Sequence, residues 1–273
     1  ALQKARRLFS AAKGGHTGTL DPLATGLLPL CFGEATKFSA DLLDADKTYE
    51  AEIKLGVTTD SGDAEGKVIA TAAVNVSAGD ISRVLPCFTG AIQQVPPMHS
   101  ALKLNGRPLY ELARKGIEVE RQPRAVTIYS IDTLNFSGDC LTLRVACSKG
   151  TYIRVLAADI GQALGCGAHL SALRRTVVGD LDLANAVTLA QLEALAESER
   201  AGRLQSVDAL LNSLPVVTVE GEAAERFRHG NPVELPEGLA GKIRVYADSR
   251  LIGVGEPGSD GRLWPKRLVQ LAA

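Results

Sequence analysis

Histidine is scarce in this chain. Four occur in 273 residues, at positions 16, 99, 169 and 229, and no two share the spacing of a metal-ligand pair. Cysteine is thin and odd in number, at 31, 87, 140, 147 and 166, with no CxxC among them. That pattern argues against a disulfide scaffold and fits a reducing cytoplasm, where each thiol acts as a small buried hydrophobe. No run of 18 apolar residues exists, so no membrane span is expected, and no signal peptide is visible. GxGxxG, the Walker loop and the GxSxG elbow are all missing, and no Cys–His pair stands out. Any chemistry is therefore expected to run without metal or cofactor and to lean on a carboxylate.

Net charge is also small, at -1, but it hides an asymmetry. Residues 180–260 carry 14 acids against 7 Lys and Arg, whereas the last 13 residues hold Arg262, Lys266 and Arg267 and no acid. The first 179 residues then carry a net +3, a mildly basic front that permits a polyanionic partner. With 45% hydrophobic residues, the length suits one large domain, or one large and one small.

Periodicity predicts a helix over ALQKARRLFSAAK, ended by GGH, a short helix over Leu23–Leu28 limited by Pro29, and another over Glu34–Leu43. KTYEAEIKLG alternates and reads as a strand. TTDSGDAEG reads as a polar turn, and QQVPPMHSALKLNGRPL as an irregular loop with a short strand. A short helix is expected near Ile81–Leu85, and a second over Leu109–Lys115 that stops at Gly116. AVTIYSIDTLNF and CLTLRVACSKG are paired strands around NFSGD. TYIRVLAADIGQALG is a helix with Thr151 or Ser148 near its cap, AHLSALRRTVVGDL a strand, and VTLAQLEALAESERAG a helix. Beyond Pro215, short strands with Gly and Pro punctuation form a small β-rich module. The fold class expected is α+β, with a mixed, largely antiparallel sheet.

Two clusters stand out chemically. In GGHTGTLDPLATGLLPL, Asp21 sits among leucines, with Gly18 before it and Pro22 behind, which biases it to extended backbone. It is either a helix N-cap or a rigidly held functional acid, and the two are compatible. In SKGTYIRVLAADIG, Lys149, Tyr152 and Arg154 mark a strand-to-helix junction. A buried Asp21 needs a cation, and arginine is the better one because it stays charged and donates through a fork. Arg154 is equally a candidate surface or turn-capping residue, and Tyr49 a candidate core residue.

GHTGTLDPLATGLLPLCFGEATKF, KTYEAEIKLGVTTDSGDAEG, PPMHSALKLNGRPLYELARKGIEVER and SKGTYIRVLAADIGQALGCGAHLSALRRT together resemble the signature segments of the bacterial tRNA pseudouridine synthases of the TruB family. They cover most of residues 14–178, and the tail after about 210 is similar to that family's small PUA-like RNA-binding module. The family's upstream segment, of the type GxxxxDKPxGxTS, has no counterpart, so residues ahead of Ala1 are expected to be missing. The resemblance implies a synthase domain over 1–208 and a PUA-like domain over 209–273.

It further implies isomerisation of uridine 55 in the tRNA T-loop with no cofactor and no metal; a monomer is expected because no extra apolar helix stripe is evident, and the cysteine usage points to the cytoplasm. Asp21 matches the catalytic aspartate, Tyr49 the tyrosine that stacks on the target base, and Arg154 the arginine that pairs with the acid. Tyr152 and Leu173 match apolar wall residues, and His16 the histidine beside the flipped nucleotide. Lys149 is expected to face phosphate or support the pocket, and Arg174 and Arg175 suit phosphate contacts. Two rival classes are a hydrolase using Asp21 as nucleophile and a non-catalytic RNA chaperone.

Overall fold

In the computed structural model, the described residues are 1–104 and 106–270. Asn105, inside the proline-rich loop read from the sequence, and residues 271–273 lie outside them. The chain packs as two compact units: residues 19–28 with 44–186, and residues 1–18, 29–43 and 187–273.

The first unit is built on a seven-stranded sheet. Its elements are β1 (Ala24–Gly26), β2 (Lys47–Leu55), α1 (Ala78–Val84), β3 (Gly90–Gln94), β4 (Arg124–Ser137), β5 (Cys140–Cys147), α2 (Ile153–Ala163), β6 (Ala168–Val178) and β7 (Leu181–Asp182). The strands run in the order β7-β6-β2-β5-β4-β3, and β1 pairs with β6. All pairings are antiparallel except β1 with β6. Alternation in KTYEAEIKL sends Ala51, Ile53 and Leu55 to the core, where they meet Leu141, Leu143 and Val145 of β5 and Leu170 and Leu173 of β6. Helix α2 covers them, because Ile153, Leu156, Ala157 and Ile160 repeat at helical spacing and are all buried. At Gly161 an added Cβ would collide with Ala168, so glycine permits the return into β6.

The expected helix over Leu23–Leu28 is instead strand β1. Its three residues pair with Leu173, Arg174 and Arg175. Two prolines leave too short a segment for a helical nucleus, and Gly26 adopts φ +98, outside the helical region. The pairing admits no side chain there: a Cβ on Gly26 would collide with the Arg175 carbonyl. Neither Thr151 nor Ser148 caps α2. The Thr151 hydroxyl donates to the Ser148 carbonyl at 2.9 Å, and the Ser148 hydroxyl accepts from the Thr127 amide at 2.9 Å. The extended residue before the helix is Tyr152.

The second unit holds a five-stranded sheet, ordered Val216–Thr218, Ile243–Ala247, Arg250–Pro257, Arg262–Leu268 and Val233–Glu234, as the β-rich reading of the tail expected. Helix Gly221–Arg228 packs Phe227 into its core. Phe38 is fully buried with Leu211, Leu251 and Val254, and this ties residues 29–43 to the tail. Here too GGH is a strand, with Gly14 opposite Phe32 and His16 opposite Leu30. The helix expected over Glu34–Leu43 is a 3-10 turn, Gly33–Lys37, followed by helix Ser39–Leu43. That expected over 187–202 breaks at Leu195, which is extended, into Leu189–Ala194 and Glu197–Arg200. No helix among the described residues is long and apolar enough to cross a membrane.

Candidate active site

Asp21 lies in the turn that leads into β1, where its carbonyl accepts from the Ala24 amide at 2.9 Å. No helix starts there, so the N-cap reading does not apply. The pairing of β1 with β6 anchors the turn on the sheet: the Leu27 amide donates to the Arg175 carbonyl at 2.8 Å, and Arg175 Nε donates to the Leu27 carbonyl at 2.8 Å. Asp21 is thus a loop residue on a rigid support.

Arg154 stands in the first turn of α2 with its side chain 4% exposed. Its Nε donates to Asp21 Oδ2 at 2.9 Å and its Nη2 to Asp21 Oδ1 at 3.2 Å, a two-point grip on the carboxylate. The same guanidinium donates to the His99 carbonyl at 2.7 Å and the Ser61 carbonyl at 3.4 Å. A buried cation with this many acceptors has little freedom to turn. Asp21 is 36% exposed, so one side is clamped and the other is open.

A second carboxylate completes the arrangement. Asp63 lies 3.6 Å from Arg154 Nε and is itself held by the Ser61 hydroxyl at 2.6 Å and the Glu65 amide at 3.1 Å. Sequence reasoning missed it, because TTDSGDAEG reads as an ordinary polar turn, whereas its bridge to Leu170, 107 positions on, draws it to the sheet. Gln94 was also missed. It is 2% exposed and bonds to the backbone of Tyr152.

Tyr49 sits on β2 opposite Arg175 and packs partly buried against the core. Burial pushes its hydroxyl above the ordinary value, opposed by the neighbouring Arg175 guanidinium. Burial likewise pushes the Tyr152 phenol up. Leu173 is buried opposite Ala24 of β1 and Ala51 of β2.

The other expected residues lie differently. Lys149 is exposed and pairs with Asp44 at 2.9 Å. His16 is exposed in the second unit. Arg174 is exposed, but Arg175 is 2% exposed and bound to the Leu27 carbonyl, so it is not a phosphate contact. The alternation of β6 turns it inward. Among the described residues, no three His, Cys, Asp or Glu side chains gather as a metal would require.

Residues 6–153 match the TruB family pseudouridylate synthase N-terminal domain. Residues 154–215 match the tRNA pseudouridylate synthase B C-terminal domain, and 215–269 the pseudouridine synthase II TruB C-terminal region. The chain is 80% identical over 272 residues to the tRNA pseudouridine synthase B of Dechloromonas aromatica (strain RCB), covering 100% of this chain and 91% of that protein. It is 56% identical to the protein of that name from Aromatoleum aromaticum, covering 100% and 89%. Among solved structures, a chain of a Cbf5-Nop10-Gar1 complex superposes with a TM-score of 0.71 at 28% identity, over 92% of this chain and 72% of that one. The chain belongs to the TruB family of pseudouridylate synthases.

Proposed function

We propose that this pseudouridine synthase acts on uridine 55 in the T-loop of tRNA, with Asp21 as the group that reacts at the target nucleotide. The observation that carries this reading is the two-point grip of Arg154 on a carboxylate that stays open on its other side. In the reaction the N1–C1′ bond breaks, the base turns, and a C5–C1′ bond forms. The proton on C5 leaves and N1 gains one, so nothing is oxidised or hydrolysed overall. Asp21 acts as nucleophile or as base at C2′. Either role needs an ionised, aimed carboxylate, and Arg154 supplies both the charge and the aim.

A base inside a folded loop has to leave its stack to reach Asp21. Tyr49 then stacks on it, and Tyr152 and Leu173 wall the slot. The exposed Lys149 and Arg174 serve the phosphates. Residues 209–273 act as a PUA-like RNA-binding domain and residues 1–208 as the synthase domain. The enzyme works as a monomer in the cytoplasm, a setting that suits its five free cysteines.

The test is incubation of an unmodified tRNA transcript with the protein and no added cofactor, followed by chemical mapping of pseudouridine. One modification at position 55, lost when cytidine stands there, is expected. Modification at other positions alone, or none, contradicts the reading.

A further inference from the structure

Gln94 is the last residue of β3 and is 2% exposed. Its carboxamide meets the Tyr152 backbone twice. The Tyr152 amide donates to Gln94 Oε1 at 2.9 Å, and Gln94 Nε2 donates to the Tyr152 carbonyl at 3.3 Å. A side chain thus offers a strand-like pairing to the residue that enters α2. Tyr152 needs it: its backbone is extended (φ -105, ψ 107), and no side chain caps the helix.

The chain continues from Gln94 through Pro96 and Pro97 to His99. Arg121 Nη1 donates to the Pro96 carbonyl at 3.3 Å, which ties down the middle of the segment. The His99 carbonyl accepts from Arg154 Nη2 at 2.7 Å. The segment 94–99 therefore holds α2 at its entry, through Tyr152, and at its functional tip, through the guanidinium. Arg154 follows Tyr152 by two positions, so any error in where α2 starts tilts the fork against Asp21.

We propose that Gln94 is a positioning residue: its carboxamide fixes the entry of α2 and so the angle at which Arg154 meets Asp21. This rests on the reading of Asp21 as the reacting group. Gln94 touches no substrate in that reading, and it acts through Tyr152 and Arg154.

The test is a mutant cycle on the full chain with a full-length tRNA transcript, read by single-turnover pseudouridine formation, tRNA affinity and thermal melting. Gln94→Met keeps length and volume but has neither donor nor acceptor. Its rate is expected to fall about ten- to a hundredfold, the scale set by misaligning reacting groups. Its tRNA Kd should stay within about twofold of the parent, because phosphate contacts away from the slot supply most of the affinity. Arg154→Lys combined with Gln94→Met should be no more than about threefold slower than Arg154→Lys alone, because both changes remove the same alignment.

A Gln94→Met rate within about twofold of the parent, or losses that multiply in the double variant, overturns the proposal. A purely structural role would lower the melting temperature and leave the rate below it unchanged. If Gln94→Met does not fold, Gln94→Glu takes its place under the same criteria, since it keeps the acceptor for the Tyr152 amide and turns the second contact repulsive. Asp21→Asn is run alongside. If it turns over at the parent rate, the reading of Asp21 falls. If it is silent while Gln94→Met is unimpaired, only the positioning role falls.

Discussion

Replacing Arg154 by lysine keeps the charge and removes the fork, so it separates geometry from electrostatics. The guanidinium donates four bonds through three nitrogens: two to Asp21 at 2.9 and 3.2 Å, one to the His99 carbonyl at 2.7 Å and one to the Ser61 carbonyl at 3.4 Å. A lysine ammonium is a single point with three donors and cannot span both Asp21 oxygens and two separate carbonyls. At least two of the four bonds are lost. Asp21 is 36% exposed, so water screens and replaces part of its share. The carbonyl acceptors lie beside a side chain only 4% exposed, and leaving them short costs more. Two such losses come to about 2–4 kcal/mol. At roughly 2–4 °C per kcal/mol, the melting temperature should fall by about 5–15 °C. The single-turnover rate should fall about a hundredfold, the scale of an angstrom-sized misplacement. Differential scanning calorimetry and enzyme-excess quench assays read the two quantities. An Arg154→Lys protein that melts with the parent and reacts within about twofold of it would show that a bare charge suffices and that the fork is dispensable.

Gly26→Ala tests the docking of β1. The residue has φ +98, and a Cβ there would lie 2.8 Å from the Arg175 amide nitrogen, with the Arg175 carbonyl closer still. The φ alone costs about 1–3 kcal/mol, and the collision adds to it. A clear drop in the urea midpoint together with a slower reaction is expected, and an unchanged midpoint would contradict the pairing. Cys147 tests burial at high pH. Its thiol is pushed up from 9.0 to about 11 by burial. The folded state holds the proton more tightly than the unfolded one, so this stabilisation is complete below pH 9 and lost as pH rises through 11. The loss amounts to about 2–3 kcal/mol. Urea titrations of Cys147→Ala should give a flatter stability profile over that range, and a profile parallel to the parent's would refute the assignment.

The long strands were legible because their residues alternate and because both faces of each pairing carry the same pattern. Lys47–Leu55, Arg124–Ser137, Cys140–Cys147 and Ala168–Val178 all lie where the sequence places them, give or take end residues. Helix Ile153–Ala163 was legible for the equivalent reason at helical spacing. Strand Ala24–Gly26 was not. Three residues carry no period, and the partner carbonyl of Leu173 lies 148 positions from the Thr25 hydroxyl that donates to it. Local propensity also misread Glu34–Leu43, because Phe38 is drawn into a core made with Leu211, Leu251 and Val254.

At the site, the need for a cation beside an aspartate set among leucines was legible from physics, and resemblance supplied Arg154 as the partner. Asp63 and Gln94 were not, since an acid in a Gly-rich turn and an amide before two prolines have no sequence mark of function. Only burial and the long-range contacts of Arg154 and Tyr152 single them out. Arg175 misled for the opposite reason. Charge says surface, while strand alternation turns it inward.

In the function proposed above, Asp21, gripped by Arg154, reacts at the target uridine. The most direct measurement is pseudouridine formation at position 55 by Asp21→Asn under single-turnover conditions, with tRNA affinity measured on the same preparation. A folded protein that binds tRNA as the parent does and forms almost no pseudouridine is expected; turnover at the parent rate would overturn the role of Asp21.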